Sequence, residues 1–169
     1  MAEPATLYKL IVLYMLYRVD FPLTTSQISE FILDKGYTTY FRLQSALAEL
    51  TDSGLLKIEL THNRTLYNLT EEGATINYFR NKISPEIRQE IDNFINEKKY
   101  DLKEEVSVKS DYYLNTNHEY EVKCQILENG SHLIDMTLTV PTQTEAEAIV
   151  NNWNRKNQEI YALLLSQLL

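Results

Sequence analysis

A run of hydrogen-bonding side chains between residues 38 and 45 contains the groups in this sequence best suited to contact nucleic acid. Arg42 is the main candidate for reading a base, because its guanidinium fork matches the O6 and N7 acceptors of guanine. Hydroxyl and amide groups suit phosphate oxygens, and such contacts fix the register of a protein on a duplex. We therefore expect DNA contacts from Thr38, Thr39, Tyr40, Arg42, Gln44 and Ser45.

Two helices around a tight turn must position that run. The first begins at Thr24, which has capping-box spacing with Gln27, and ends before Gly36, where glycine accepts a left-handed cap without steric cost. The second is predicted from about Thr39 to Ser53. A leucine row predicts its inward face and turns the polar run outward. The row is Leu43, Leu47 and Leu50, while Phe41 and Glu49, which suit a DNA surface poorly, lie on the outer side.

A β-hairpin is predicted next, because two short alternating segments, 57–60 and 65–69, flank a polar loop. The tip of that loop is His62, Asn63 and Arg64. We expect it to touch the DNA backbone or the minor groove, since a narrow minor groove attracts arginine. An ordinary solvated hairpin loop is the alternative, because loops of this kind are polar in any protein.

Helix, turn, helix and hairpin in this order resemble a winged helix-turn-helix. The resemblance rests on Ser26-Gln27-Ile28 at the start of the first helix and on Leu47, Leu50, Gly54, Leu55 and Leu56 at the end of the second. It covers the first half of the chain, and similar patterns recur in bacterial winged-helix transcriptional regulators. The whole sequence is also similar to an uncharacterised bacterial family with an N-terminal winged helix and a short C-terminal extension. The resemblance implies a DNA-binding fold.

A helix over Leu7–Val19 precedes the helix-turn-helix and is apolar on nearly every side. A helix that is apolar all round is buried on more than one face. It is therefore either a central core helix or the seam of a dimer. The segment Asp20–Leu23 then forms a turn or a short edge strand, because Pro22 lacks a backbone donor.

Two further helices are predicted after residue 70. Thr70 can cap the first. Its apolar members are Ile76, Tyr78, Phe79 and Ile83. Ser84-Pro85-Glu86 begins the second with a cap, a proline at the first helical position and an acid. This helix is predicted to end near Lys99 and has an apolar face of Ile87, Ile91, Phe94 and Ile95.

From Glu105 onward the apolar period changes to two, which predicts three antiparallel strands. Asn129-Gly130 predicts a tight hairpin between the last two, because both central positions need positive φ. The third strand is expected to place His132, Ile134, Met136, Leu138 and Val140 on one face. A second capping box, Thr142 with Glu145, begins a helix that covers the sheet. Its covering residues are predicted to be Ala148, Ile149, Val150, Trp153, Ile160, Leu163 and Leu164.

These elements together predict an α+β fold: an N-terminal winged helix-turn-helix, then helices, then a small three-stranded antiparallel sheet covered by a C-terminal helix. Three regions are predicted within it. They are a winged helix-turn-helix domain over residues 1–83, a connecting helix over 84–104, and a β-β-β-α domain for dimerisation or sensing over 105–169.

The chemical inventory argues against an enzyme. The histidines are scattered, and none stands at metal-ligand spacing from another histidine or from Cys124. No phosphate-binding glycine motif is present. Cys124 falls in an inward-facing strand row, where a buried, unreactive thiol is expected. We therefore expect no catalytic residue, no metal site and no cofactor.

The charge balance is the main objection to DNA binding, since the net charge is −8 and non-specific affinity comes mostly from Lys and Arg on phosphates. Residues 1–70, however, carry six basic and seven acidic side chains and are close to neutral. A nearly neutral domain binds weakly by itself, which favours a homodimer that uses two half-sites.

Location follows from three features of the sequence. The single cysteine fits a reducing compartment, no signal peptide is seen, and the apolar run 10–17 is shorter than the roughly 20 residues that span a bilayer. We predict a cytoplasmic, dimeric, DNA-binding transcriptional regulator whose partner is double-stranded DNA, with no membrane partner and an unknown effector. The alternatives are a winged-helix protein–protein interaction module without DNA binding and a small-molecule sensor that uses the C-terminal domain.

Overall fold

A computed structural model describes residues 4–75 and 79–169 and has the predicted α+β architecture. Ile76 and Tyr78, predicted as helical core residues, lie outside the described residues. No helix in the described ranges is both long and apolar enough to cross a membrane. The elements are α1 (Pro4–Arg18), β1 (Leu23–Thr24), α2 (Thr25–Asp34), α3 (Tyr40–Asp52), β2 (Leu56–Leu60), β3 (Thr65–Leu69), α4 (Glu71–Thr75), α5 (Phe79–Lys82), α6 (Pro85–Ser107), β4 (Val108–Leu114), β5 (Tyr120–Glu128), β6 (Ser131–Val140) and α7 (Gln143–Leu168).

The chain divides into two compact units. The first contains the chain up to Leu60 together with Arg64–Val106, and the second contains Thr61–Asn63 together with Ser107–Leu169. The helix predicted as a connector, 84–104, therefore belongs to the first unit.

Helix α1 forms the centre of the core of the first unit. The segment Ile11–Leu16 is buried without interruption, so every side of the helix is covered within this unit. Of the two interpretations of this apolar helix, the structure supports the core helix. The remaining core comes from α2, α3, α6 and the strands, including Phe31, Leu47 and Ile91.

The two helices and the hairpin predicted for residues 24–69 are present in the first unit. Thr24 and Gln27 form both hydrogen bonds of the capping box that begins α2, and Gly36 has a φ of 71° just beyond its end. The predicted hairpin is β2–β3, and β1 adds to it to give a three-stranded antiparallel sheet in the order β1-β3-β2. Thr70 Oγ1 accepts a hydrogen bond from the Gly73 N–H at 3.0 Å, as a cap of α4 should.

Helix α6 differs from its prediction, since it continues to Ser107 and does not end near Lys99. Its apolar face extends through Leu102 and Val106, which are both buried and lie four residues apart. The sequence prediction starts the strands at Glu105 and so places Val106 in a strand, where it alternates with Val108. A single alternating pair does not distinguish a strand from the end of a helix, and here burial along the helix decides the structure.

The three-stranded antiparallel sheet of the second unit, in the order β4-β5-β6, confirms the predicted meander. Asn129 and Gly130 have φ values of 50° and 79°, as the predicted hairpin requires. The face assigned to His132 is wrong, however. The pairing slips between Ile126↔Ile134 and Leu127↔His132, which leaves Leu133 without a counterpart. A one-residue slip reverses the side-chain alternation, so His132 lies on the face opposite Ile134.

Helix α7 covers one face of this sheet, as predicted, but through partly different residues. Its buried positions are Ala146, Val150, Trp153 and Asn157. Ala148 is exposed and Leu163 is 59% exposed, so both were wrongly placed in the core. Thr142 Oγ1 accepts from the Glu145 N–H at 3.2 Å, which is the one hydrogen bond of the predicted capping box that the structure forms.

Candidate nucleic-acid interface

The face of α3 that was predicted to meet DNA is exposed within the first unit. Leu43, Leu47 and Leu50 are buried, which confirms the inward row. Tyr40, at the first helical position, is 57% exposed, and Arg42 also lies in solvent. The leucine spacing therefore fixes the rotation of this helix and leaves its outer side open.

The hydroxyl groups on this face make local hydrogen bonds. Thr39 is the N-cap, and its Oγ1 accepts from the Arg42 N–H at a long 3.4 Å. Ser45 Oγ donates to the carbonyl oxygen of Phe41 at 3.2 Å. Both side chains are exposed and each oxygen retains capacity for a further contact, because a hydroxyl has one donor and two acceptor positions.

Thr38 and Gln44 are less accessible than the other predicted contact residues. The Thr38 hydroxyl and the Gln44 amide nitrogen are buried, and neither has a hydrogen-bond partner among the described residues. Either atom would have to move to reach a ligand. The predicted set of six therefore divides into two partly buried residues, Thr38 and Gln44, and four exposed ones, Thr39, Tyr40, Arg42 and Ser45.

Arg42 carries the free positive charge of this face. Its guanidinium makes no ion pair or side-chain hydrogen bond with any residue that the structure describes. Glu49, whose negative charge suits a DNA-facing surface poorly, forms an ion pair with Lys9 of α1. An exposed pair of this kind contributes little to stability, but it offsets the negative charge of Glu49 close to Arg42. The position of Lys9 in an otherwise apolar helix gives no indication in the sequence that it pairs with Glu49.

A shallow groove of about 300 Å³ runs between α1 and α3 beside Arg42. Phe41 forms part of it and is 79% exposed, so it does not pack beneath a neighbouring element of the described chain. Its lining residues are Tyr8, Lys9, Phe41, Arg42, Ser45, Ala46 and Glu49. The groove thus combines an exposed aromatic ring, an apolar floor and one unpaired guanidinium.

His62, at the tip of the predicted wing, is engaged within the second unit, to which Thr61–Asn63 belong. Its ring stacks on Tyr112, with ring centroids 3.9 Å apart and planes inclined by 10°. Its backbone N–H donates to Asp111 Oδ1 at 3.3 Å, and its ring Nδ1 contacts the same oxygen. Asn63, next to it, is exposed. DNA contact by His62 would have to replace the stacking and both polar contacts.

Arg64 is also engaged, within the first unit. Its Nη1 donates to the carbonyl oxygen of Glu105 at 2.7 Å, and burial lowers the pKa of its guanidinium. The long side chain is therefore directed to the end of α6, where the helix leaves carbonyl oxygens without intrahelical partners. Insertion of Arg64 into a minor groove, which stays a prediction, would require that this hydrogen bond break.

A second cleft, of about 250 Å³, lies within the second unit. Tyr112 lines it, and its hydroxyl donates to Glu147 Oε1 at 3.1 Å. The other lining residues are His62, Asn63, Glu147, Val150 and Asn151. The lining of this cleft is polar, and its residues do not specify a ligand.

The predicted burial of Cys124 is confirmed, because its side chain is fully buried, and this burial raises the pKa of its thiol to about 11. A thiol with so high a pKa is a poor nucleophile near neutral pH. Among residues 4–75 and 79–169, no three His, Cys, Asp or Glu side chains come together as a metal site would require.

Comparison with protein families matches residues 8–168 to a family described as a domain of unknown function, DUF4364. No curated protein matches the chain. No solved structure matches it either. The family match spans both structural units, including the exposed face of α3 and the sheet covered by α7. The chain belongs to the DUF4364 family.

Proposed function

We propose that this protein is a cytoplasmic, dimeric, DNA-binding transcriptional regulator whose first unit acts as a winged helix-turn-helix. One observation carries the proposal: α3 buries its leucine row and exposes Arg42, whose guanidinium has no partner among the described residues. The element order α2-α3-β2-β3 supports it, since this is the helix, turn, helix and hairpin order on which the winged-helix resemblance rests.

In this proposal α3 enters the major groove by its N-terminal turn, the usual geometry of a recognition helix. Arg42 reads a guanine, while Thr39, Tyr40 and Ser45 contact phosphates. Four of the remaining predicted residues, Thr38, Gln44, His62 and Arg64, would contact DNA only after side-chain rearrangement. Asn63 is exposed but lies between two such residues in the hairpin loop, so we assign all five the smaller share of the affinity.

The acidic net charge determines how such a protein would bind. A chain with a net charge of −8 gains little from non-specific attraction to phosphates. Affinity must then come from a few well-placed contacts to bases and phosphates. A second copy of the chain on a second half-site would make the same contacts again. We therefore expect weak binding to random DNA and a clear preference for a selected sequence.

The test begins with selection of bound duplexes from a random library, followed by fluorescence anisotropy on the selected duplex and on a scrambled one. Arg42→Ala should weaken binding to each half-site of the selected duplex by about 5- to 150-fold, since a bidentate base contact contributes about 1–3 kcal/mol. Arg42→Lys keeps the charge but loses the fork. It should therefore retain binding to the scrambled duplex and lose most of the preference for the selected one.

Arg155→Ala is the matched control, because it removes one exposed arginine from a helix of the other unit and changes the net charge equally. It should leave both affinities unchanged. If folded wild-type protein binds neither duplex at low salt, or if Arg155→Ala weakens binding as much as Arg42→Ala does, DNA recognition by α3 is wrong.

A protein–protein interaction module is the second candidate, and the groove between α1 and α3 favours it. Exposed aromatic rings such as Tyr40 and Phe41 are more typical of protein interfaces than of a DNA-facing surface. Phe41→Ser separates the two functions. It should leave DNA affinity within about twofold if α3 contacts DNA through its polar residues, whereas a protein ligand of the groove would lose an aromatic anchor.

A further inference from the structure

Strand β6 is an open edge of the sheet in the second unit. It has one strand neighbour, β5, among the described residues, so its outer row of backbone N–H and C=O groups is unpaired within the sheet. Natural edge strands are usually protected by lysine, proline or short length. β6 spans Ser131–Val140 and contains neither lysine nor proline. The irregularity at Leu133 affects only its beginning and leaves a regular segment, 134–140.

Charge is scarce along that regular segment. Its one ionisable side chain is Asp135, whose Oδ1 accepts a hydrogen bond from the Gln125 amide of the neighbouring strand at 3.0 Å. Two copies of a chain with a net charge of −8 repel each other, so a contact between them needs a surface with few acids. The opposite edge, β4, is less suitable because it carries Lys109 and Asp111.

We propose that β6 pairs antiparallel with β6 of a second copy of this chain, with Thr137 on the two-fold axis, to form one six-stranded sheet. This inference names the contact surface of the dimer included in the proposed function and rests on that part of it. It does not depend on whether the protein binds DNA.

The order of residue types along the segment selects this register. A two-fold axis at Thr137 places Ile134 opposite Val140 of the second copy and Met136 opposite Leu138, so apolar side chains meet on the face that α7 covers. On the other face Asp135 meets Thr139 and Thr137 meets its own copy. The pairing uses all of 134–140 and opposes no like charges. An axis at Asp135 would place the two carboxylates opposite each other, which is unfavourable.

Burial on the covered face also fits this arrangement. Helix α7 packs mainly on β4 and β5 and less on β6. Val122 and Cys124 of β5 are accordingly fully buried, whereas Leu138 of β6 is 39% exposed. The second copy would supply the apolar neighbours that β6 lacks, because its own row of Ile134, Met136 and Leu138 would continue the same surface.

The test is the association state of the full chain, measured by light scattering over a dilution series. Thr137→Lys puts two lysines opposite each other at the axis, and we expect the dimer dissociation constant to rise at least tenfold. Thr139→Lys is the matched control, because it adds the same charge to the same exposed face of β6 but places it opposite Asp135 of the second copy. That variant should dimerise as well as wild type does.

A monomeric wild type at high concentration would overturn this interface and the dimer in the proposed function, while DNA binding would still be judged separately by anisotropy. A dimeric wild type with equal dissociation constants for both lysine variants would overturn the interface alone.

If Thr137→Lys does not fold, Thr137→Cys decides the question. Under mild oxidation it should form a disulfide-linked dimer, because directly opposed Cβ atoms lie within disulfide reach. Asn117→Cys, in the β4–β5 turn, should not form a disulfide-linked dimer. Equal crosslinking of the Thr137→Cys and Asn117→Cys variants would contradict the register.

Discussion

The two units each bury one face of a three-stranded antiparallel sheet, but they differ in how many helices cover it. In the first unit three helices pack on the sheet: α1 on β3, α2 on β1 and β3, and α3 on β2. In the second unit α7 alone covers β4, β5 and β6. On the strands of the second unit, Leu114, Leu133 and Leu138 are exposed, whereas Leu60 is the one exposed leucine on the described strands of the first unit. Leucines are also exposed on and just after α7: Leu163, Leu165, Leu168 and Leu169.

Under the proposed function, this difference would suit separate tasks for the two units. A sheet covered by several helices can bury its apolar residues by itself, and the exposed residues on α3 are then available for a ligand. A sheet covered by one helix has a small core and an incomplete apolar face, which a second copy can complete. Self-association is therefore expected in the second unit and recognition in the first.

The largest effect expected from this comparison is at Trp153. It is almost fully buried in the small core of the second unit, and its Nε1 donates to the carbonyl oxygen of Gln125 at 3.4 Å. Trp153→Ala should lower the free energy of unfolding of this unit by about 3–5 kcal/mol, because it removes a large buried ring and leaves a cavity. Urea titration followed by labelling of Cys124, the single cysteine of the chain, measures this.

Labelling is informative because Cys124 is buried and reacts only when the second unit opens. Trp153→Phe is the control and should lose less stability, since it keeps an aromatic ring in the core. If Cys124 of Trp153→Ala is labelled at the same urea concentration as in wild type, the stability of this unit does not depend on the contact between α7 and the sheet.

The second effect concerns the first unit, where the core is shared among more elements. Leu47→Ala, at a fully buried position of α3, should lower the free energy of unfolding by about 2–5 kcal/mol. Leu60→Ala makes the same change at a residue of β2 that is 69% exposed, and it should cost less than about 0.5 kcal/mol. Urea unfolding followed by far-ultraviolet circular dichroism measures both. Equal losses would mean that α3 does not face inward through its leucines.

A helix could be predicted most accurately where its periodic apolar residues are bounded by a residue that caps or ends it. Leucine spacing and Gly54 defined α3, and Thr24 with Gln27 defined the start of α2. The exposed position of Arg42 followed directly from the leucine row. These features could be predicted because each depends on residues close together in the chain.

The features that were missed depend on contacts distant in sequence. The pairing of Lys9 with Glu49 joins α1 to α3, and the engagement of Arg64 joins the end of the hairpin loop to Glu105. The face of His132 was wrong because one unpaired residue, Leu133, reverses the alternation. Neither long-range partners nor a slip of one residue leaves a mark in local periodicity.

The smallest effect expected is a difference between the caps of α2 and α7. Thr24 is buried and forms a reciprocal capping box with Gln27, whose amide also donates to the carbonyl oxygen of Leu102 at 3.1 Å. Thr142 is exposed and accepts one hydrogen bond. Thr24→Ala should therefore cost about 1–2 kcal/mol and Thr142→Ala about 0.5–1 kcal/mol, within the range measured for N-cap removal. Thermal unfolding monitored by circular dichroism compares them.

Thr24→Ser and Thr142→Ser serve as controls, because serine keeps the accepting hydroxyl and is at least as good an N-cap. Both should stay within about 0.5 kcal/mol of wild type. A loss for Thr142→Ala equal to that for Thr24→Ala would contradict the distinction, since water can replace the lost acceptor at an exposed helix end but not at a buried one. The start of α2 would then be no more rigidly held than the start of α7, and the first unit could not be regarded as the better enclosed of the two.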